Sequence, residues 1–287
     1  MVRVFDPDQA RYFCTNFQSL GGNAQRPIHV LSNYYYDRRK FSLAEGTSEF
    51  ADYRASSLRD VERRIFLAIS HYRRSLDLMT TSAAAWAHVT LYYASFFAAS
   101  ALLEMFGCYA NERKFIVEVA AGSTGSQGLL LNSQVMSQQG LENMGSHERF
   151  WNIFYLCSPQ IYPWVRDQKQ KQVLDPNLTG VTWQINTRNR VNYDSHQSLA
   201  LMESFDRTFD ANRFPGCLQG DLATQLTIVD SMTRVAFSFA RSFNLLTDAL
   251  RGLPSAGASR GSKIRDLIIT KSMPTLWSKI LWDDFTQ

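Results

Sequence analysis

"AHVTLYYASFFAASALLEMFG", residues 87–107, is the stretch whose reading decides the fold class. It lies in a run from Ser82 in which Ala85, Val89, Tyr92, Phe96, Ala99, Leu103 and Phe106 recur every three or four residues. That is the period of one helix face. Leu91, Ala94, Ala98 and Ala101 make the other face apolar as well, and a helix apolar all round is buried all round. Gly107 follows as a C-cap glycine would. From Ala83 to Leu103, 21 residues pass without an Asp, Glu, Lys or Arg, which is long enough to cross a bilayer. His88, Thr90, Ser95, Ser100 and the many alanines argue against insertion, and Glu104 comes directly after. The expectation is a buried helix and no membrane partner.

Working outward, "SSLRDVERRIFLAISHYRRSLDLMT" predicts an amphipathic helix with Val61, Ile65, Ala68, Tyr72, Leu76 and Met79 as its apolar stripe. Ser56 or Ser57 is the expected N-cap, with Asp60 completing a capping box. Residues 1–55 read as an irregular leader, in which "VLSNYYYDRRKF" (30–41) is a short strand or an aromatic loop. "KFIVEVAAGSTGSQGLLLNS" (114–133) predicts two short strands about a glycine-rich tip. That tip lacks the GK[ST] of a phosphate cradle. "SHERFWNIFYLCSPQIYPWV" predicts a helix stopped by Pro159 and Pro163. Beyond residue 180 the chain reads as helical again. A long amphipathic helix over 221–250 carries Leu222, Leu226, Val229, Met232 or Thr233, Ala236, Ala240, Phe243 and Leu246. "RGLPSAGASRGSK" (251–263) reads as a linker before a C-terminal helix.

Composition sets the class. With 287 residues, 45% apolar and 20% charged, the chain is a folded globular protein rather than a disordered one. A net charge of +4 is too small to identify a polyanion-binding protein by itself. Arg54, Arg59, Arg63, Arg64, Arg73 and Arg74 crowd into 21 residues and read as a solvated helix face. Cys14, Cys108, Cys157 and Cys217 form no CxxC pair and no metal-ligand cluster, which fits a reducing compartment. "MVRVFDPDQARYF" lacks the apolar core of a secretory signal. A cytoplasmic protein is expected.

The polar groups able to act on a phosphate gather in "WQINTRNRVNYDSH" (183–196). Arginine offers a rigid fork of donors to a phosphodiester, and histidine titrates near neutrality and can carry a proton either way. Arg188, Arg190 and His196 supply both, with Asn189 and Tyr193 between them. Arg190 and Tyr193 are three apart and share a face if the segment is helical.

Two segments together resemble the HEPN superfamily of small helical domains. In its signature helix a Tyr-Tyr-Ala, an aromatic pair, an Ala-Ala and a Leu-Leu precede a glycine. Here these are Tyr92-Tyr93-Ala94, Phe96-Phe97, Ala98-Ala99, Leu102-Leu103 and Gly107. The family's second motif, an arginine with a polar residue and a histidine four to six positions on, is similar to "RNRVNYDSH". Two alignments stand open. With Arg188-Asn189 as the Arg-polar pair, the histidine position falls near Tyr193. With Arg190 as the motif arginine, His196 has the family spacing and Val191 takes the polar place.

The resemblance implies a mostly α fold, a HEPN-like helical bundle formed by residues 56–110 and 180–250. Residues 111–179 would be a small β-containing insertion, and 251–287 a linker and C-terminal helix. It further implies a homodimer that brings Arg188, Arg190 and His196 into a cleft, with Asn189 and Tyr193 positioning the substrate. The activity implied is that of a metal-independent endoribonuclease, without a cofactor. It would cut RNA through the 2′-hydroxyl to leave a cyclic phosphate, in a toxin or phage-defence system. An antitoxin or defence-complex protein is the further partner implied. The alternative is a non-catalytic HEPN-like subunit that binds RNA, a nucleotide or a partner.

Overall fold

The computed structural model describes residues 13–14, 26–34, 42–79, 83–105, 108–110, 115–121, 129–135, 141, 143–166, 168, 171, 174–175, 189 and 221–242. These residues are mostly helical. In chain order they form α1 (Pro27–Tyr34), β1 (Ser42–Ala44), α2 (Ser48–Met79), α3 (Ala84–Met105), β2 (Tyr109–Ala110), β3 (Phe115–Ala121), β4 (Leu129–Val135), α4 (Ser146–Cys157), a 3₁₀ segment (Ser158–Trp164) and α5 (Asp221–Ser242).

The start of α2 differs from the expectation. It begins at Ser48, so Ser56 and Ser57 are buried interior positions rather than caps. Thr47 makes the cap: its Oγ1 accepts the Phe50 N–H at 3.3 Å, while the Ala51 N–H closes the first helical bond on the Thr47 carbonyl. Gly46 allows the entry. Its φ of +91° turns the chain out of β1, and the Thr47 N–H returns to the Ala44 carbonyl at 3.2 Å. Asp60, expected in a capping box, instead accepts from Arg64 Nε at 3.1 Å. The segment expected as strand or loop at 30–41 begins as helix α1, with Val30 and Leu31 buried.

Helix α3 has the expected character. Ala87, Leu91, Tyr92, Ala94, Ala98, Ala99, Ala101, Leu102 and Met105 are buried, and the Ser95 hydroxyl is satisfied by the Tyr92 carbonyl at 3.0 Å. At its end the Cys108 N–H donates to the Leu103 carbonyl, five residues back, at 2.8 Å. This is the bond that closes a Schellman-type terminus. Gly107, expected as the cap, lies outside the described residues. Among the described residues no helix is long and apolar enough to cross a membrane.

The described part of the chain divides into two units, and α2 and α3 contribute to both. The first takes residues 1–64, 99–181 and 242–245. It contains an antiparallel sheet in the order β1-β4-β3-β2. β3 and β4 are the expected hairpin, in register from Phe115↔Val135 to Ala121↔Leu129. β1 pairs with β4 as Leu43↔Leu131, and β2 with β3 as Tyr109↔Val117. Trp151, Phe154, Tyr53, Phe13 and Leu58 fill its core. Arg54, expected on a solvated face, is buried there, its Nε donating to the Phe13 carbonyl at 2.7 Å. α4 is the expected helix, and the segment bearing Pro159 and Pro163 continues as 3₁₀ rather than α.

The second unit takes residues 65–98, 182–241 and 246–287. Its described core joins Ile65, Ala68, Tyr72 and Leu76 of α2, Leu91, Tyr92 and Ala94 of α3, and Val229, Met232, Ala236 and Ala240 of α5. The α2 and α5 residues are those of the stripes expected from periodicity. The described part of α5 ends at Ser242.

Candidate functional site

Of the five residues expected to form the site, Asn189 is described, and it is helical and exposed. Arg188, Arg190, Tyr193 and His196 lie outside the described residues. The signature residues of α3 are described. Tyr92, Ala94, Ala98, Ala99, Leu102 and Leu103 are buried, and Tyr93, Phe96 and Phe97 are half-buried.

Within the first unit the polar group that periodicity missed is Glu104. It ends the uncharged run of α3 and is 2% exposed. Arg64 Nε lies 2.7 Å from its Oε1, yet neither carboxyl oxygen receives a hydrogen bond. The same Nε–H is committed to Asp60 Oδ2, and Arg63 stands 3.8 Å from the other Asp60 oxygen. Burial is the largest influence on Glu104. It raises the carboxyl pKa well above the usual value, against the opposing pull of Arg64, and Asp60 adds to the rise. Glu104 and Asp60 thus stand on the same Arg64 guanidinium, 2.7 Å and 3.1 Å from its Nε, and the buried Glu104 carboxyl keeps its proton more readily than an exposed glutamate does. The one sequence signal for it was a lone carboxylate on an otherwise uncharged helix.

Among the described residues the second unit holds three polar groupings. Tyr72 is buried and its hydroxyl donates to Asp230 Oδ1 at 3.4 Å, while Arg234 Nε donates to Asp230 Oδ2 at 2.8 Å. Burial, then the Asp230 charge, push the Tyr72 pKa up, so it stays a phenol. Asp77 stands between two arginines, 3.6 Å from Arg73 Nε and 3.5 Å from Arg74 Nη1. Arg73, expected on a solvated face, is 5% exposed, and its Nε and Nη2 find no acceptor. Finally, His71 stacks on Phe97 with ring centres 5.3 Å apart and leans on Tyr93 at 5.9 Å. Burial lowers the His71 pKa and favours the neutral ring.

These groups can hold protons and balance charge, but none forms a nucleophile–base pair. Cys14, Cys108 and Cys157 are buried thiols. Burial pushes the Cys14 thiol far up, and its Sγ–H is engaged by the Met105 carbonyl, so it is not poised to attack. Among the described residues no group of three or more His, Cys, Asp or Glu is placed to hold a metal ion. Comparison with protein-family models, curated proteins and solved structures gave no match.

Proposed function

We propose that this chain is a HEPN-like endoribonuclease of a toxin or phage-defence system, cytoplasmic and acting as a homodimer. Arg190 or Arg188 holds the scissile phosphate and stabilises the charge that develops on it. His196 carries the proton of the 2′-hydroxyl or of the leaving oxygen. Asn189 and Tyr193 position the strand, and the products carry a cyclic phosphate. An antitoxin or defence-complex protein is the partner that would restrain such an activity. In this reading the helices form a HEPN-like bundle, and the hairpin region is a small β-containing insertion in it.

The observation that carries the reading is α3. Its Tyr-Tyr-Ala, Ala-Ala and Leu-Leu positions lie on one uninterrupted helix, Ala84–Met105, with the small residues and leucines buried. The Arg/His motif adds the chemistry at the level of sequence. A non-catalytic binding subunit is the second reading, favoured by Val191 at the polar place of the Arg190 alignment.

Purified chain incubated with total RNA in EDTA separates the two. Cleavage is expected in the wild type. The His196→Ala variant, with an unchanged circular dichroism spectrum, is expected to lose it by at least about 100-fold. Cleavage that persists in His196→Ala, or that EDTA abolishes, removes the nuclease proposal. RNA bound without scission leaves the binding subunit.

A further inference from the structure

A second feature of the second unit, independent of the Arg188–His196 motif, has the chemistry of a strand-binding ledge. On α3, Trp86, Tyr93 and Phe97 are spaced by seven and four residues and so share one face. Trp86 is 63% exposed, and Tyr93 and Phe97 are half-buried. On α2, Leu67, His71 and Arg74 are likewise spaced by four and three. The two faces meet where His71 stacks on Phe97 and leans on Tyr93. The result is an aromatic cluster of His71, Tyr93 and Phe97 on the helix face that also carries the exposed Trp86, with Leu67 41% exposed one turn from His71.

Arg74 supplies the charge. Its side chain is 60% exposed, and its described ion-pair partner, Asp77, is shared with Arg73. Arg73 is buried with two donors unmet, so its claim on that carboxylate is the stronger, because a buried charge gains more from a counterion than an exposed one. Among the described residues one carboxylate stands between two guanidiniums, and Arg74 is the one of the two that is exposed to a ligand.

From this juxtaposition we infer that the α2–α3 face of the second unit binds single-stranded nucleic acid, its bases stacking on Trp86 and the aromatic cluster and a backbone phosphate pairing with Arg74. Stacking platforms beside cationic side chains hold single strands with little regard to sequence. Trp86 and Tyr93 are about 10 Å apart along the helix axis, so two bases can seat without sharing a ring. The ledge needs no 2′-hydroxyl, so it stands or falls separately from the nuclease proposal.

The test is fluorescence anisotropy with the full chain and a labelled single-stranded DNA of about 12 nucleotides, which cannot be cleaved through a 2′-hydroxyl. Trp86→Ala is expected to weaken binding by about 5- to 100-fold. Arg74→Gln is expected to flatten the salt dependence by about 0.7 in slope. Both positions are exposed, and matching circular dichroism spectra confirm that the variants fold. A duplex of the same sequence, its bases already stacked, is expected to bind more weakly. No binding by the wild type, or affinities within about twofold of it in both variants, overturns the inference. So does a Trp86→Ala variant that dissociates an oligomer while binding the strand as before. Strand binding with no RNA cleavage sustains the ledge and sinks only the nuclease.

Discussion

Glu104 is the residue whose surroundings are most at odds with its chemistry. Its carboxyl is fully buried, faced by Arg64 and Asp60, and receives no hydrogen bond. Because folding raises its pKa, the folded chain holds this proton more tightly than the unfolded chain does. The stability it lends is therefore full below the unfolded value of 4.5 and is lost as pH climbs through the raised folded value. Glutamine mimics the neutral acid at every pH. Glu104→Gln is expected to match the wild type near about pH 5 and to exceed it in urea midpoint near about pH 8, the gap widening with pH. A variant weaker than the wild type at the higher pH would mean that Glu104 is ionised and paired with Arg64. The same scale shows where a run of charge misleads. Arg54 and Arg73 belong to a cluster that reads as solvated, yet both are buried. One spends its Nε on a backbone carbonyl, and the other faces a single carboxylate.

At the level of elements, the β1-to-α2 junction decides where the longest helix begins. Thr47 caps it and Gly46 turns the chain at φ +91°. Thr47→Ala is expected to cost about 1 kcal/mol through the lost cap. Gly46→Ala is expected to cost about 1–2 kcal/mol. That cost is backbone strain alone, because a Cβ there meets nothing within 4 Å. Urea denaturation measures both, and a neutral Gly46→Ala would contradict the turn geometry. This junction also shows what was legible beforehand. Helix α3, the β3–β4 hairpin, α4 and the described part of α5 follow from periodicities confined to each segment. The helix start was missed because Ser56, Ser57 and Asp60 imitate a cap, while the actual cap is a lone threonine after a glycine. The β1–β4 pairing was missed for another reason. It joins Leu43 to Leu131, 88 positions along the chain, and no local pattern encodes such a distant partner. Of the candidate site, the motif was legible as residue types, but Asn189 alone falls among the described residues.

For the molecule as a whole, two proposed activities are in question, and they call for different chemistry. The ledge of Trp86, His71, Tyr93 and Phe97 needs only stacking and one cation to hold a strand. The Arg188–His196 segment must do more, because cutting a phosphodiester without a metal needs an activated nucleophile, and in the proposed reaction the RNA itself supplies it. That nucleophile is the 2′-hydroxyl, and its use is written in the product. Mass spectrometry of RNA fragments made by the wild-type chain in EDTA therefore tests the nuclease proposal at its chemical core. Fragments ending in a 2′,3′-cyclic phosphate, absent with His196→Ala, are the expected result. Fragments ending in a free 3′-hydroxyl, or intact RNA after prolonged incubation with folded protein, would contradict it.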